Sequence, residues 1–208
     1  MSNKFKIILD CETTGFTENK ILQLGMFILQ ENNTKLYNKY FSTDSRIEGS
    51  AISVHGITKD FLAKTATNSF EEEIDKLYPY FMQAEEIIGY NVDYDVNRCI
   101  NPYLRKRGLE LIDTNKCICM MKAYSEIIQK SIITRRVNSS LINSFNFYIT
   151  LGIKTLEEIE EKWSKLYPYK CNDHNAIYDV YKTYILYSEL EKVKRVVNKN
   201  ESRVDSPV

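Results

Sequence analysis

The chain of 208 residues carries no net charge, since 28 Lys and Arg balance 28 Asp and Glu. No global positive field therefore draws it onto a polyanion, and any such site must be local or assisted by a bound cation. It also lacks an apolar run near the roughly 20 residues that span a bilayer. The polar start MSNKFK has neither the apolar core nor the cleavage site of a signal peptide. A soluble, cytoplasmic protein with no membrane partner is the expectation. The five cysteines form an odd set without a paired framework, which suits free thiols in a reducing compartment. The Cys-x-Cys at Cys117 and Cys119 has no second pair, so packed thiols are favoured there over a soft-metal site. Neither an internal repeat nor a low-complexity linker divides the chain. Residues 1–195 are thus expected to form a single domain, and the polar tail 196–208 to be disordered.

What is present is ordinary globular material, 43% hydrophobic and 27% charged. FKIILD (5–10) is a short apolar run ending in an acid, as in a buried strand that emerges at a sheet edge. ILQLGMFILQ (21–30) and KLYNKYFS (35–42) read as two further strands joined by the polar turn ENNT, so the first three strands form an antiparallel meander. From Ser69 the period changes to that of a helix, with Phe70, Ile74, Leu77 and Phe81 on one face and Pro79 expected to kink or end it. EEIIGYN (85–91) and LELIDT (109–114) read as strands around a helix over 92–108, and helical patterns fill 115–194. A meander followed by helix, strand, helix, strand and then helices predicts one α/β domain with a mixed sheet covered by helices.

Three groups of acids stand out. In ILDCETTG (8–15), Asp10 and Glu12 point to one face of a strand and Cys11 to the other. Two converging carboxylates need a shared proton or a cation between them, although a bare Asp-x-Glu is more often two solvated acids. Thr13 and Thr14 add short donors and Gly15 lets main chain approach a ligand. In GYNVDYDVNR (89–98), Asp93 fits a helix cap, whereas Asp95 can face the sheet edge. In HNAIYDVYKTYILY (174–187), Ile177, Val180, Tyr181 and Tyr184 form an apolar stripe bordered by Asp179. His174, one of only two histidines, lies about 140° from Asp179 on an ideal helix, so the two converge only if His174 sits on the loop before it.

In order and spacing these segments resemble the DnaQ-like 3′-to-5′ exonucleases, in the branch with a catalytic histidine. ILDCETTGF resembles the first motif. VHGIT (54–58) is similar to the loop beside the terminal nucleotide, and GYNVDYDVN to the second motif, which selects Asn91 and Asp95. LIDT matches the following strand, and HNAIYDV the third motif. Tyr90 and Tyr94 depart from the usual His and Phe of the second motif. The resemblance covers roughly residues 4–190. It implies a ribonuclease H-like fold, with a mixed five-stranded sheet flanked by helices. It implies two divalent ions, Mg²⁺ or Mn²⁺, held by Asp10, Glu12, Asp95 and Asp179, and His174 as general base. It further implies substrate contacts from Thr13, Thr14, Gly15, His55, Gly56, Ile57 and Asn91. The expected partner is a nucleic acid 3′ end, with single-stranded DNA favoured over RNA, and a DNA polymerase is a further implied partner. The alternatives are a ribonuclease or oligoribonuclease that trims RNA, a non-catalytic replisome-docking module of the same fold, and a phosphohydrolase acting on small monoesters.

Overall fold

A computed structural model describes residues 4–31, 33–131, 140–150, 155–168 and 172–204. Three strands come first: β1 (Lys6–Thr13), β2 (Ile21–Gln30) and β3 (Asn33–Tyr40). Helices α1 (Gly49–His55), α2 (Lys59–Thr65) and α3 (Phe70–Gln83) lead to β4 (Glu86–Gly89). A broken helix follows, made of α4 (Val92–Tyr94), a π-helical segment (Asp95–Ile100) and α5 (Asn101–Lys106). β5 (Cys117–Cys119) completes the strands, and α6 (Met120–Ser131), α7 (Leu141–Thr150), α8 (Leu156–Leu166) and α9 (Ala176–Val204) complete the described helices. The sheet order is β3-β2-β1-β4-β5, with β1, β2 and β3 antiparallel and β4 and β5 parallel to β1. This is the mixed five-stranded, ribonuclease H-like sheet that the resemblance implies.

Side-chain alternation along β1 divides the core. Ile7, Leu9 and Cys11 join Phe70, Ile74, Phe81, Val96 and Leu104 on one side of the sheet. Ile8 joins Phe27, Ile88, Trp163, Ile177 and Tyr181 on the other. Asp10 and Glu12 share the parity of Ile8, so they extend its row toward α9.

That helix comes unusually close to the sheet. A Cβ added to Gly25 would lie 2.7 Å from the Ala176 carbonyl carbon and 2.7 Å from the Ile177 nitrogen. Gly25 is the register partner of Asp10, and Gln23 that of Glu12. The Gln23 side chain, 1% exposed, accepts the Ala176 N–H (3.2 Å) and donates to Asn38 Oδ1 (2.9 Å) and Asn175 Oδ1 (3.1 Å). Its amide thus satisfies one of the free N–H groups at the start of α9 and ties that end to β2.

Several expectations change. Pro79 does not end α3, which runs on to Gln83. Pro79 and Asp75, whose carbonyl loses its partner there, both face solvent, where the lost bond costs least. The strand expected over 109–114 lies instead at Cys117–Cys119. The Ile112 N–H is given to the Asn101 side chain (3.0 Å), and Asp113 accepts the Asn115 N–H (2.9 Å) to start a turn. α9 continues to Val204, so the expected disordered tail is helical as far as it is described, while 205–208 lie outside the described residues. Within the stretch 115–194 expected to be helical, residues 132–139, 151–154 and 169–171 also lie outside them.

The close approach at Gly25 yields a stability prediction. Gly25→Ala should lower the unfolding free energy by about 1–3 kcal/mol, because the backbone of α9 must shift. Gly49→Ala, where an added Cβ meets nothing within 4 Å, should be neutral or slightly stabilising, as chemical denaturation of the two variants would show. Equal stability of both variants would contradict the packing described.

Candidate active site

Three separate segments bring four carboxylates to the end of β1. Asp10 and Glu12 arrive on the strand itself. Asp95 is the first residue of the π-helical segment, 3% exposed, and accepts the Cys11 main-chain N–H at 3.2 Å. The wide turn is closed by a main-chain bond. The Asn101 N–H reaches back five residues to the Val96 carbonyl, and Pro102 has no N–H with which to continue an α-helical ladder. Asp179 stands in the first turn of α9, 6% exposed. Its Oδ2 accepts the His174 main-chain N–H at 3.1 Å, and its Oδ1 pairs with the Lys182 ammonium at 2.6 Å.

His174 lies on the loop before α9 with φ of 58°, as convergence with Asp179 requires. Ligand atoms of Glu12, His174 and Asp179 lie within 4.8 Å of one another. Asp93, by contrast, points away and pairs with Lys122, and Asn91 rather than Asp93 begins the helix. Cys117 and Cys119 belong to no cluster of metal-ligand side chains among the described residues.

Buried together, these acids hold their protons more tightly than exposed acids do. Burial, then the charges of Asp179 and Asp95, push the Glu12 carboxyl up to about 9. Burial likewise raises Asp95 to about 7, against the opposing hydrogen bond from Cys11. Asp10 is raised well above the usual range by burial and by Asp95, Asp179 and Glu12, and Asp179 is raised by burial in spite of Lys182. Such a cluster is chemically matched to divalent cations, which supply the charge that otherwise must come from protons. The carboxylate oxygens are hard donors, as divalent cations of that kind require.

The two histidines have opposite circumstances. His55 is partly buried at the end of α1, its Nδ1 accepts the Ile57 N–H (2.9 Å), and its Nε2 lies 3.0 Å from the Thr13 carbonyl. That pattern requires the neutral tautomer with the proton on Nε2, and both nitrogens are committed. Burial lowers its pKa, in keeping with a neutral ring. The His174 side chain is exposed, and its ring has no hydrogen-bond partner among the described residues. Of the two histidines, His174 is thus the one whose ring is uncommitted among the described residues.

Beside Glu12 a cleft of about 230 Å³ opens, lined by Thr13, Phe16, Ala51, Val54, His55 and Tyr94 among others. Phe16 is 81% exposed and Val54 53%, and Phe16 meets the edge of Tyr94 with ring centroids 5.9 Å apart. Gly15 turns the chain at φ of 125°, where a Cβ would also collide with Glu48. Glu48 Oε1 accepts the Thr17 N–H at 2.9 Å and fixes the loop that carries Phe16.

The expected contact residues divide accordingly. Thr13, Gly15 and His55 line the cleft. Thr14 is buried and holds the loop through the Lys20 N–H (3.1 Å), Gly56 is the left-handed cap of α1, and Ile57 packs inward while fixing His55. Asn91 is exposed and caps α4 through its carbonyl, away from the cleft lining. Phe16, Val54, Tyr94 and Lys182 are not among the expected site residues, although the first three lie in the quoted motifs. Phe16 had a visible signal, an aromatic directly after the Thr-Thr-Gly turn, and Lys182 another, a lysine one turn beyond Asp179.

Comparison with known proteins places this site in a family. The family model described as Exonuclease matches residues 7–187. The DNA polymerase III epsilon subunit of Buchnera aphidicola subsp. Schizaphis graminum is 32% identical over 99 residues, 43% of this chain and 41% of that subunit. The match thus spans about two fifths of that relative's length. Among solved structures, exonuclease X in complex with 5′-overhanging duplex DNA superposes with a TM-score of 0.56 at 20% identity, over 90% of this chain and 91% of that one. The nuclease domain of 3′hExo, a DEDDh family member bound to rAMP, gives 0.56 at 14% identity over 91% and 92%. Those two likenesses bear on the fold alone. The match over 7–187, with the motifs and acids set out above, makes this chain a member of the exonuclease family, of the DnaQ-like kind.

Proposed function

We propose that the protein is a metal-dependent 3′-to-5′ exonuclease that hydrolyses the terminal phosphodiester of single-stranded DNA and releases nucleoside 5′-monophosphates. The observation that carries this reading is the cluster of Glu12, His174 and Asp179, with Asp95 held beside it by the Cys11 N–H and Asp10 within the field of all three other acids. Asp10, Glu12, Asp95 and Asp179 would hold two divalent ions, Mg²⁺ or Mn²⁺, and when bound these supply charge neutralisation and water activation for in-line displacement.

The chain's own groups do the rest. A His174 ring nitrogen takes a proton from the attacking water, whose oxygen bonds to phosphorus as the bond to the 3′ oxygen breaks. The departing 3′ oxygen leaves with a proton from solvent. Phe16 and Val54 offer exposed apolar surface on which the last base stacks, and the Thr13 hydroxyl and the loop at Gly15 meet its sugar and phosphate. Asp95, fixed by the Cys11 N–H, and Asp179, fixed by the His174 N–H, keep their positions as substrate enters. DNA is favoured over RNA by the likeness to the DNA polymerase III subunit. By the same likeness we propose that a polymerase is a partner.

Asp10→Ala should abolish release of mononucleotides from 3′-labelled single-stranded DNA while the fold persists, and normal activity would refute the site. His174→Ala should cost about 10²–10⁴ in turnover with Mn²⁺ binding retained. Phe16→Ala should weaken single-strand binding by about 1–3 kcal/mol, measured by fluorescence anisotropy. Parallel digestion of RNA and of a small phosphomonoester separates the substrate classes.

Protonation adds a test that needs no substrate. Asp95 and Glu12 bind protons more tightly folded than unfolded, so their contribution to stability is whole below the ordinary carboxyl range. It is lost as pH rises through about 7 for Asp95 and about 9 for Glu12. In EDTA the melting temperature should therefore fall as pH rises through that window. Mn²⁺ should raise it more on the alkaline side, where fewer protons compete. A metal-induced shift independent of pH would count against the carboxylates as ligands.

A further inference from the structure

Lys182 has no place in the chemistry above, yet it is 2% exposed in the middle of the site. A buried ammonium is costly unless it is paired, and Lys182 is paired twice. Its Nζ lies 2.6 Å from Asp179 Oδ1 and 2.5 Å from Asp173 Oδ1. The same ammonium sits 5.1 Å from the centroid of the Tyr178 ring. Helical side chains lean toward the N-terminus, so Lys182, one turn beyond Asp179, reaches back past it to the loop before α9.

That loop carries His174. Its backbone adopts the left-handed region, which a residue with a Cβ rarely occupies. Two bonds meet at this point: the His174 N–H on Asp179 Oδ2, and the neighbouring Asp173 on Lys182. We propose that Lys182 is the positioning residue for His174. By gripping Asp173 and Asp179 at once, it clamps the loop to the helix and keeps the imidazole over the carboxylates. Because the ammonium also occupies one oxygen of Asp179, it opposes cation binding there. The clamp therefore gains alignment at some cost in metal affinity. This inference rests on the nuclease reading and concerns only how its histidine is held.

Asp173→Asn is the first test, because the Asp173 side chain is 52% exposed and its change leaves no buried acid unpaired. With saturating Mn²⁺ and single-stranded DNA, kcat should fall about tenfold while KM, melting temperature and calorimetric Mn²⁺ binding stay at wild-type values. Lys182→Met should lower kcat at least as much, but bind Mn²⁺ about threefold more tightly, since a fixed positive charge beside Asp179 is gone. The double variant should be no slower than Lys182→Met alone, because both changes break one clamp. Wild-type kcat in Asp173→Asn would overturn the proposal, as would Lys182→Met losing turnover, metal affinity and melting temperature together, or losses that multiply in the double variant. Asp10→Ala run alongside separates the two readings. If Asp10→Ala is inert and Asp173→Asn is fully active, the clamp alone fails; if Asp10→Ala is active, the nuclease reading fails and takes the clamp with it.

Discussion

The site depends on one close approach, that of the first turn of α9 to Gly25 on β2. Nothing larger than hydrogen fits between the strand and the Ala176 and Ile177 backbone, and Gly25 is the partner of Asp10 across the sheet. Wherever the helix start is placed, Asp179 follows. Gln23, two residues earlier on the same face, spends both ends of its amide on Asn175, Ala176 and Asn38, so the start of α9 is fixed in direction as well as distance. Burial of Ile177, Val180 and Tyr181 behind it holds the helix down. The apolar stripe and the placement of the acids are thus two faces of the same packing.

Against that packing stands the mutual repulsion of Asp10, Glu12, Asp95 and Asp179. Burial raises the proton affinity of all four acids, and at Asp10 and Glu12 the charges of neighbouring acids add to it. Each is supported differently: Asp95 by a main-chain N–H, Asp179 by an N–H and a buried lysine, and Asp10 and Glu12 by the pairing of β1 with β2. A core that maximised stability would not place them together. Their coexistence here is intelligible as a site prepared for cations, with the overall neutrality of the chain reproduced locally only once positive charge is bound.

Much of this was legible in the sequence. The apolar runs of β1 and β2 and the acidic start of α3 at Ser69 carry enough local information to define those elements, and the parity of Asp10 and Glu12 placed both acids on one face. Asp95 was separated from Asp93 by motif register rather than by local physics, because the π-helical turn that swings it inward depends on Pro102 and on tertiary packing. The strand at Cys117–Cys119 was misplaced for a related reason. Three residues are too few for a pattern, and Ile112 looked like strand because it is apolar, whereas its N–H is given to the Asn101 side chain rather than to a ladder. Lys182 was invisible because a lysine at a helix edge ordinarily reaches water. Only the fold shows that the nearest opposite charges, Asp173 and Asp179, lie inward.

The two histidines show how backbone geometry assigns chemical roles to like side chains. His55 ends a helix capped by the left-handed Gly56, a position that turns its ring under the Thr13 carbonyl and the Ile57 N–H. With both nitrogens engaged it is a strut that ties α1 to the loop bearing Phe16. His174 instead takes the left-handed conformation itself, an unfavourable state for a residue with a side chain. The main chain, rather than the ring, supplies its contact with Asp179. That leaves the imidazole uncommitted at the mouth of the site. A strained backbone persists only where its surroundings over-determine it. Here those surroundings are the same Asp173, Asp179 and Lys182 that would have to be in register for a proton to be taken from water.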